Sequence, residues 1–106
     1  MKNFFQLPDY TGEEFAETLL SGSGFRLERI VSRGDSSPEG FWYDQEEDEY
    51  VLLLQGQAVL EYPGDQLVSL KPGDQLVIPA GCRHRVAKTS ASPPAVWLTI
   101  FGQFSS

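Results

Sequence analysis

The sequence predicts an all-β domain, an antiparallel barrel or sandwich, with one short helix near its N-terminal end. Three observations carry that reading. From Phe25 onward, short runs of β-branched, leucine and aromatic residues are broken by Gly, Pro, Asp and Ser, the pattern of strands joined by tight turns. Eight such runs can be counted, enough to close a barrel. With 106 residues, 41% of them apolar and 12% aromatic, the chain is the size of one domain and can bury a core without metal or disulfide staples.

The helix is expected over Thr11 to Leu20. Thr11 and Glu14 stand at capping-box spacing, and Phe15, Leu19 and Leu20 share a helical face, with Ser21-Gly22-Ser23-Gly24 ending it. The strands follow: Phe25 to Arg33, Phe41 to Gln45, Glu49 to Leu54, Gln57 to Tyr62, Leu67 to Leu70, Gln75 to Ile78, His84 to Lys88 and Val96 to Phe101. Gln55-Gly56 and Pro63-Gly64-Asp65 read as hairpin reversals, and Lys71-Pro72-Gly73-Asp74 as a tight turn. The polar, Pro-bearing stretches Gly34 to Gly40 and Thr89 to Pro94 are expected to be less ordered rims or lids. Residues 1–24 are expected to belong to the same domain as the barrel of residues 25–106.

The balance of charge narrows the partners. Eight Lys and Arg against 15 Asp and Glu give a net charge of −7, the wrong sign for gripping a phosphate backbone, so nucleic acid is not an expected partner. The longest fully apolar runs, such as Val51-Leu52-Leu53-Leu54, are four residues long where a membrane span needs about 20. The single Cys82 can form no intramolecular disulfide, and Met1 to Pro8 offers no apolar signal-peptide core. A cytoplasmic location is the expectation.

The residues from Gly73 to His84 carry the most specific signal. Gly73, five residues, Pro79, one residue, Gly81, two residues and His84 reproduce the second cupin motif, G(X)5PXG(X)2H, at each of these positions; Lys88 stands where that motif ends in Asn. With sixteen residues between it and Gly73, Gly56 closes a partial first motif, in which Glu49 is followed by six residues and that glycine. Tyr43 and Gln45 occupy the places of the two histidines of that motif, and Ser37 the place of its opening glycine. The chain thus resembles a small single-domain cupin. That resemblance implies a double-stranded β-helix, or jelly-roll barrel, with a metal or small-molecule pocket at its open end. Family members with both motifs intact hold Fe, Mn, Ni, Zn or Cu on three histidines and a glutamate.

On that resemblance Glu49, His84 and Tyr43 are the candidate catalytic residues. Glu49, His84, Gln45 and Tyr43 are the candidate ligands of a divalent transition metal such as Fe, Mn, Ni or Zn. Amide and phenol oxygens are poorer ligands than imidazole, and Tyr ionises only near pH 10, so these two replacements weaken the metal site that the resemblance implies. Without metal, a buried Glu49 beside His84 favours the imidazolium and forms an acid–base pair. Within the acidic run Asp44 to Glu49, the group Glu46, Glu47 and Asp48 reads as a solvated acidic loop. Arg83 and Arg85 flank His84 and, by strand alternation, face away from it. Cys82 reads as a small packed residue. Three functional readings stay open: a small-molecule enzyme of isomerase, lyase or oxygenase type, a ligand-binding or sensor module without metal, and a purely structural barrel. A small-molecule ligand and pairing into a homodimer are the expected partners.

Overall fold

The computed structural model describes residues 2–7 and 14–104. Eight strands form: β1 (Phe15–Gly22), β2 (Phe25–Ser32), β3 (Asp48–Gln55), β4 (Ala58–Tyr62), β5 (Gln66–Leu70), β6 (Gln75–Ile78), β7 (Arg85–Thr89) and β8 (Ala95–Gly102). They pair antiparallel in two sheets, a five-stranded one in the order β1-β2-β8-β3-β6 and a three-stranded one in the order β5-β4-β7. Val51, Leu53, Ile78, Ala95 and Trp97 of the larger sheet meet Ala58, Leu60 and Leu70 of the smaller one, so the core lies between the two sheets.

Strand β3 shows how sequence alternation places the site. Glu49, Val51 and Leu53 are buried and alternate with partly exposed neighbours, so the carboxylate of Glu49 projects from the same face as the core. Register extends this across the sheet. Arg26, Phe101, Glu49 and Ile78 lie side by side on β2, β8, β3 and β6. The next row is Glu28, Thr99 and Val51, and the third is Ile30, Trp97 and Leu53. The inner face therefore grades from charged to apolar along the strands.

Two expectations are corrected. The described part of the expected helix, Phe15 to Leu20, is strand β1, and no helix occurs among the described residues; Thr11, the expected cap, lies outside them. A ten-residue helix is marginal by itself, whereas the open edge of β2 offers the same backbone a full ladder from Phe15↔Val31 to Gly22↔Phe25. A bulge between Thr18 and Leu20 leaves Leu19 and Leu20 both exposed, which breaks the alternation that would have revealed a strand. Phe41 to Gln45 is not a strand but an irregular segment joined to the residue before β7 by one isolated bridge, Tyr43↔His84.

The two polar stretches are tied down rather than loose. Ser37 donates its N–H to the Val86 carbonyl (2.8 Å) and accepts from the Val86 N–H on Oγ (3.0 Å). Ser90 Oγ accepts from the Gln57 N–H (3.0 Å) and donates to the Pro93 carbonyl (2.7 Å).

The glycines that close the first motif and open the second are required for different reasons. Gly56, between β3 and β4, has φ +82, and a Cβ there would fall 2.6 Å from Ser90 Oγ and 2.7 Å from the Pro94 carbonyl oxygen. Gly73 has φ +94 with open space around it. Gly73→Ala should therefore cost about 1–2 kcal/mol, the left-handed backbone penalty alone. Gly56→Ala should cost more, because backbone must also shift. Urea unfolding of the two variants checks that ranking, and equal losses would refute it.

Candidate active site

The turn that follows β6 delivers His84. Pro79 to Cys82 closes with the Cys82 N–H donating to the Pro79 carbonyl (3.1 Å), and Gly81 supplies φ +77. This turn is bonded to the segment before β3. Gly81 N–H donates to the Gln45 carbonyl (2.8 Å), and Ala80 N–H to Asp48 Oδ1 (2.8 Å). Tyr43 and His84 exchange both backbone hydrogen bonds, at 2.7 and 3.1 Å. His84 is thus brought to Tyr43, Gln45 and Glu49, which lie far before it in the sequence.

All four line a cavity of about 270 Å³ between the sheets. His84 Nε2 lies 3.5 Å from Glu49 Oε1, with the two side chains only 5% and 10% exposed. Gln45 Nε2 donates to the same carboxylate oxygen (3.2 Å). His84 Nδ1 sits 3.0 Å from the Cys82 carbonyl, which can only accept, so Nδ1 carries a proton and Nε2 faces Glu49. The Tyr43 ring stacks on the imidazole at 5.3 Å between centroids, and Phe41 packs edge-on to Tyr43 at 4.8 Å. Burial alone would lower the His84 pKa; the hydrogen bond and charge of Glu49, with the Cys82 carbonyl, outweigh it and raise the pKa above the ordinary 6.5. Burial, with Glu14 and Glu49 nearby, raises the Tyr43 phenol above 10.0, so it is neutral at physiological pH.

This donor set does not fit a metal bound by protein ligands alone. Among the described residues no group of three or more His, Cys, Asp and Glu side chains comes together to hold an ion. The two histidine positions of the full motif hold a neutral phenol and an amide whose N–H is turned to Glu49. The one imidazole nitrogen free to bind faces the one carboxylate.

Several contributors escaped sequence reasoning. Glu14, read as a helix cap, lines the cavity and accepts from Ser32 Oγ (3.0 Å), which in turn accepts from the Trp97 indole N–H (3.2 Å). Burial raises the Glu14 pKa above 4.5. Arg26 and Glu28 of β2 also line the cavity. Arg26 lies 4.2 Å over the Phe101 ring, donates to Glu28 (3.1 Å) and clasps both oxygens of Glu47 (2.7 and 3.0 Å). The acidic loop is thus partly engaged: Glu47 in that pair, Asp48 in accepting the Phe104 and Ala80 N–H groups, which lower its pKa. The outward reading of Arg85 holds, since it pairs with Glu61 at 2.7 Å, and Arg83 lies 5.4 Å over Trp42. Cys82 is a free, partly buried thiol packed against the core.

As the only histidine, His84 gives a single set of imidazole resonances. Its titration midpoint should lie above 6.5 and fall in Glu49→Gln. The raised pKa stabilises the folded state below pH 6.5, and that contribution is lost as pH rises through the folded midpoint. A midpoint at or below 6.5 by NMR would contradict the pairing.

The cupin domain family matches residues 28–101, from within β2 to within β8. No curated protein matches the sequence. Among solved structures, a Ralstonia eutropha JMP134 protein, provisionally named a mannose-6-phosphate isomerase, is 42% identical over 98% of each chain, with a TM-score of 0.91. A cupin superfamily protein of Desulfitobacterium hafniense DCB-2 is 21% identical over 92% of this chain and 84% of its own, with a TM-score of 0.75. The polyketide cyclase RemF of Streptomyces resistomycificus is also 21% identical, over 85% of this chain and 65% of its own, with a TM-score of 0.71. These last two share the fold. With most of the chain inside the family match, and with the second motif forming the turn that presents His84, this protein belongs to the cupin domain family.

Proposed function

We propose that the chain binds a small polar molecule in the cavity between its sheets and moves a proton on it, with Glu49 and His84 as the acid–base pair and no transition metal. The observation that carries this reading is the buried contact of His84 Nε2 with Glu49 Oε1 at 3.5 Å on the wall of a cavity of about 270 Å³. Nδ1 is held by the Cys82 carbonyl, so His84 can be charged without losing its orientation. Glu49 Oε1 is occupied by Gln45 and His84, which leaves Oε2 to take a proton from the substrate. The imidazolium then delivers one at a neighbouring atom. The two transfers balance and need no oxidant, which suits an isomerisation or an elimination. The provisional name of the Ralstonia protein, an isomerase, belongs to that class of reaction. Tyr43 holds the imidazole plane by stacking, and Gln45 holds the carboxylate.

The test is exchange of substrate C–H protons with D2O across a panel of aldoses, ketoses and hydroxy acids, followed by NMR. Deuterium should enter next to a carbonyl with wild-type protein, and the rate should fall about 100-fold or more in Glu49→Gln and in His84→Gln. Exchange that survives both substitutions would overturn the assignment; binding without exchange would favour a sensor. Untagged protein should hold far less than one equivalent of Mn, Fe, Ni or Zn by plasma mass spectrometry. A stoichiometric metal lost in His84→Ala would contradict the metal-free reading.

A further inference from the structure

We infer that the cavity takes an uncharged, hydroxyl-bearing ligand of single-ring size, an unphosphorylated sugar or polyol, and that Thr99 is one of its anchoring residues. This deepens the proposed reading and rests on its assignment of the cavity as the ligand site, though not on proton transfer. Thr99 sits on β8 between Glu28 of β2 and Val51 of β3, in the second row of the inner face. It is 1% exposed, lines the cavity, and its Oγ1 has no hydrogen-bond partner. A buried hydroxyl without a partner costs free energy, and a ligand hydroxyl reaching the cavity wall would supply one.

The chemistry of the surrounding groups selects the class. Glu28 engages Arg26 and Thr18 through Oε2 only, and Glu49 engages Gln45 and His84 through Oε1 only. Each carboxylate therefore keeps one oxygen able to accept, and Glu14 likewise uses only Oε1. Groups that accept are answered by a ligand that donates, as hydroxyls do. A phosphate or carboxylate at neutral pH chiefly accepts, and would face three glutamates. Among the described residues, the only cations lining the cavity are His84, turned to Glu49, and Arg26, already clasped by Glu28 and Glu47. The charge of Arg26 is thus already balanced by two carboxylates, which leaves little to attract an anionic group. A cavity of about 270 Å³ is at the small end for ligand sites, which suits one ring rather than a chain. The cavity is thus mismatched to the sugar phosphate in the Ralstonia protein's provisional name.

The experiment measures binding, not turnover, by ligand-detected NMR titration of the full chain with mannose, xylose, glucitol and inositol, and with mannose 6-phosphate and gluconate. At least one neutral probe should bind, and mannose 6-phosphate should bind at least about tenfold more weakly than mannose. Thr99→Val, which keeps the side-chain shape, should weaken the neutral probe about three- to tenfold, and Thr99→Ser should restore most of it. Mannose 6-phosphate binding as tightly as mannose, a Thr99→Val variant that binds like wild type, or no binding by any neutral probe would each overturn the inference. The charge comparison needs no variant, so it stands even if Thr99→Val fails to fold. Neutral ligands that bind wild type but undergo no exchange in D2O would remove proton transfer while leaving this inference intact.

Discussion

A carboxylate and an imidazole cannot both be taken out of water unless each satisfies the other, and this constraint organises the mouth of the barrel. Removing one partner of such a buried pair leaves an uncompensated polar group and costs several kcal/mol, so both side chains must arrive together. Glu49 arrives by strand alternation on β3, where Val51 and Leu53 hold the same face in the core. His84 arrives from a turn. That turn is held against the chain before β3 by the Tyr43 and His84 backbone exchange, the Gly81 to Gln45 bond and the Ala80 to Asp48 bond. These ties, all but the last made wholly by main chain, hold the two elements that carry the pair together.

The two positions where the full first motif carries histidines have not become idle. The phenol of Tyr43 lies against the imidazole and the amide of Gln45 donates to the carboxylate, so both side chains serve the remaining pair. Their substitution changes what the site can do. Imidazoles there would converge on an ion, whereas a neutral ring and an amide donor orient an acid and a base toward a ligand instead. The gradation across the sheet completes the arrangement: Arg26 and Glu49 in the outer row, Glu28 and Thr99 behind, and Trp97 with Leu53 behind those.

Much of this was legible in the sequence where a local rule sufficed. The Gly73 to His84 motif announced its turn because Pro and Gly at those positions have few conformations open to them, and β3 to β8 followed from runs bounded by such residues. Convergence of Tyr43, Gln45, Glu49 and His84 followed from the resemblance. What failed were features decided by distant contacts. Residues 15–20 satisfy a helical pattern, the bulge at Leu19 hides the alternation of a strand, and only the free edge of β2 makes them one. Phe41 to Gln45 is rich in aromatic residues yet finds one bridging partner. Glu14, Arg26, Glu28 and Thr99 were missed as cavity residues for the same reason. Nothing in a threonine within a β-forming run, or in an acid beside a helix-like start, signals that its side chain faces a cavity built by other strands.

The site depends on energetic coupling between Glu49 and His84, and a double-mutant cycle measures it most directly. Unfolding free energies of wild type, Glu49→Gln, His84→Gln and the double variant would be compared at a pH where the imidazole is protonated. A coupling of about 1–3 kcal/mol is the predicted result. Additive losses, with no coupling beyond error, would mean that the two side chains merely share a cavity, and would contradict the pair as the centre of the site.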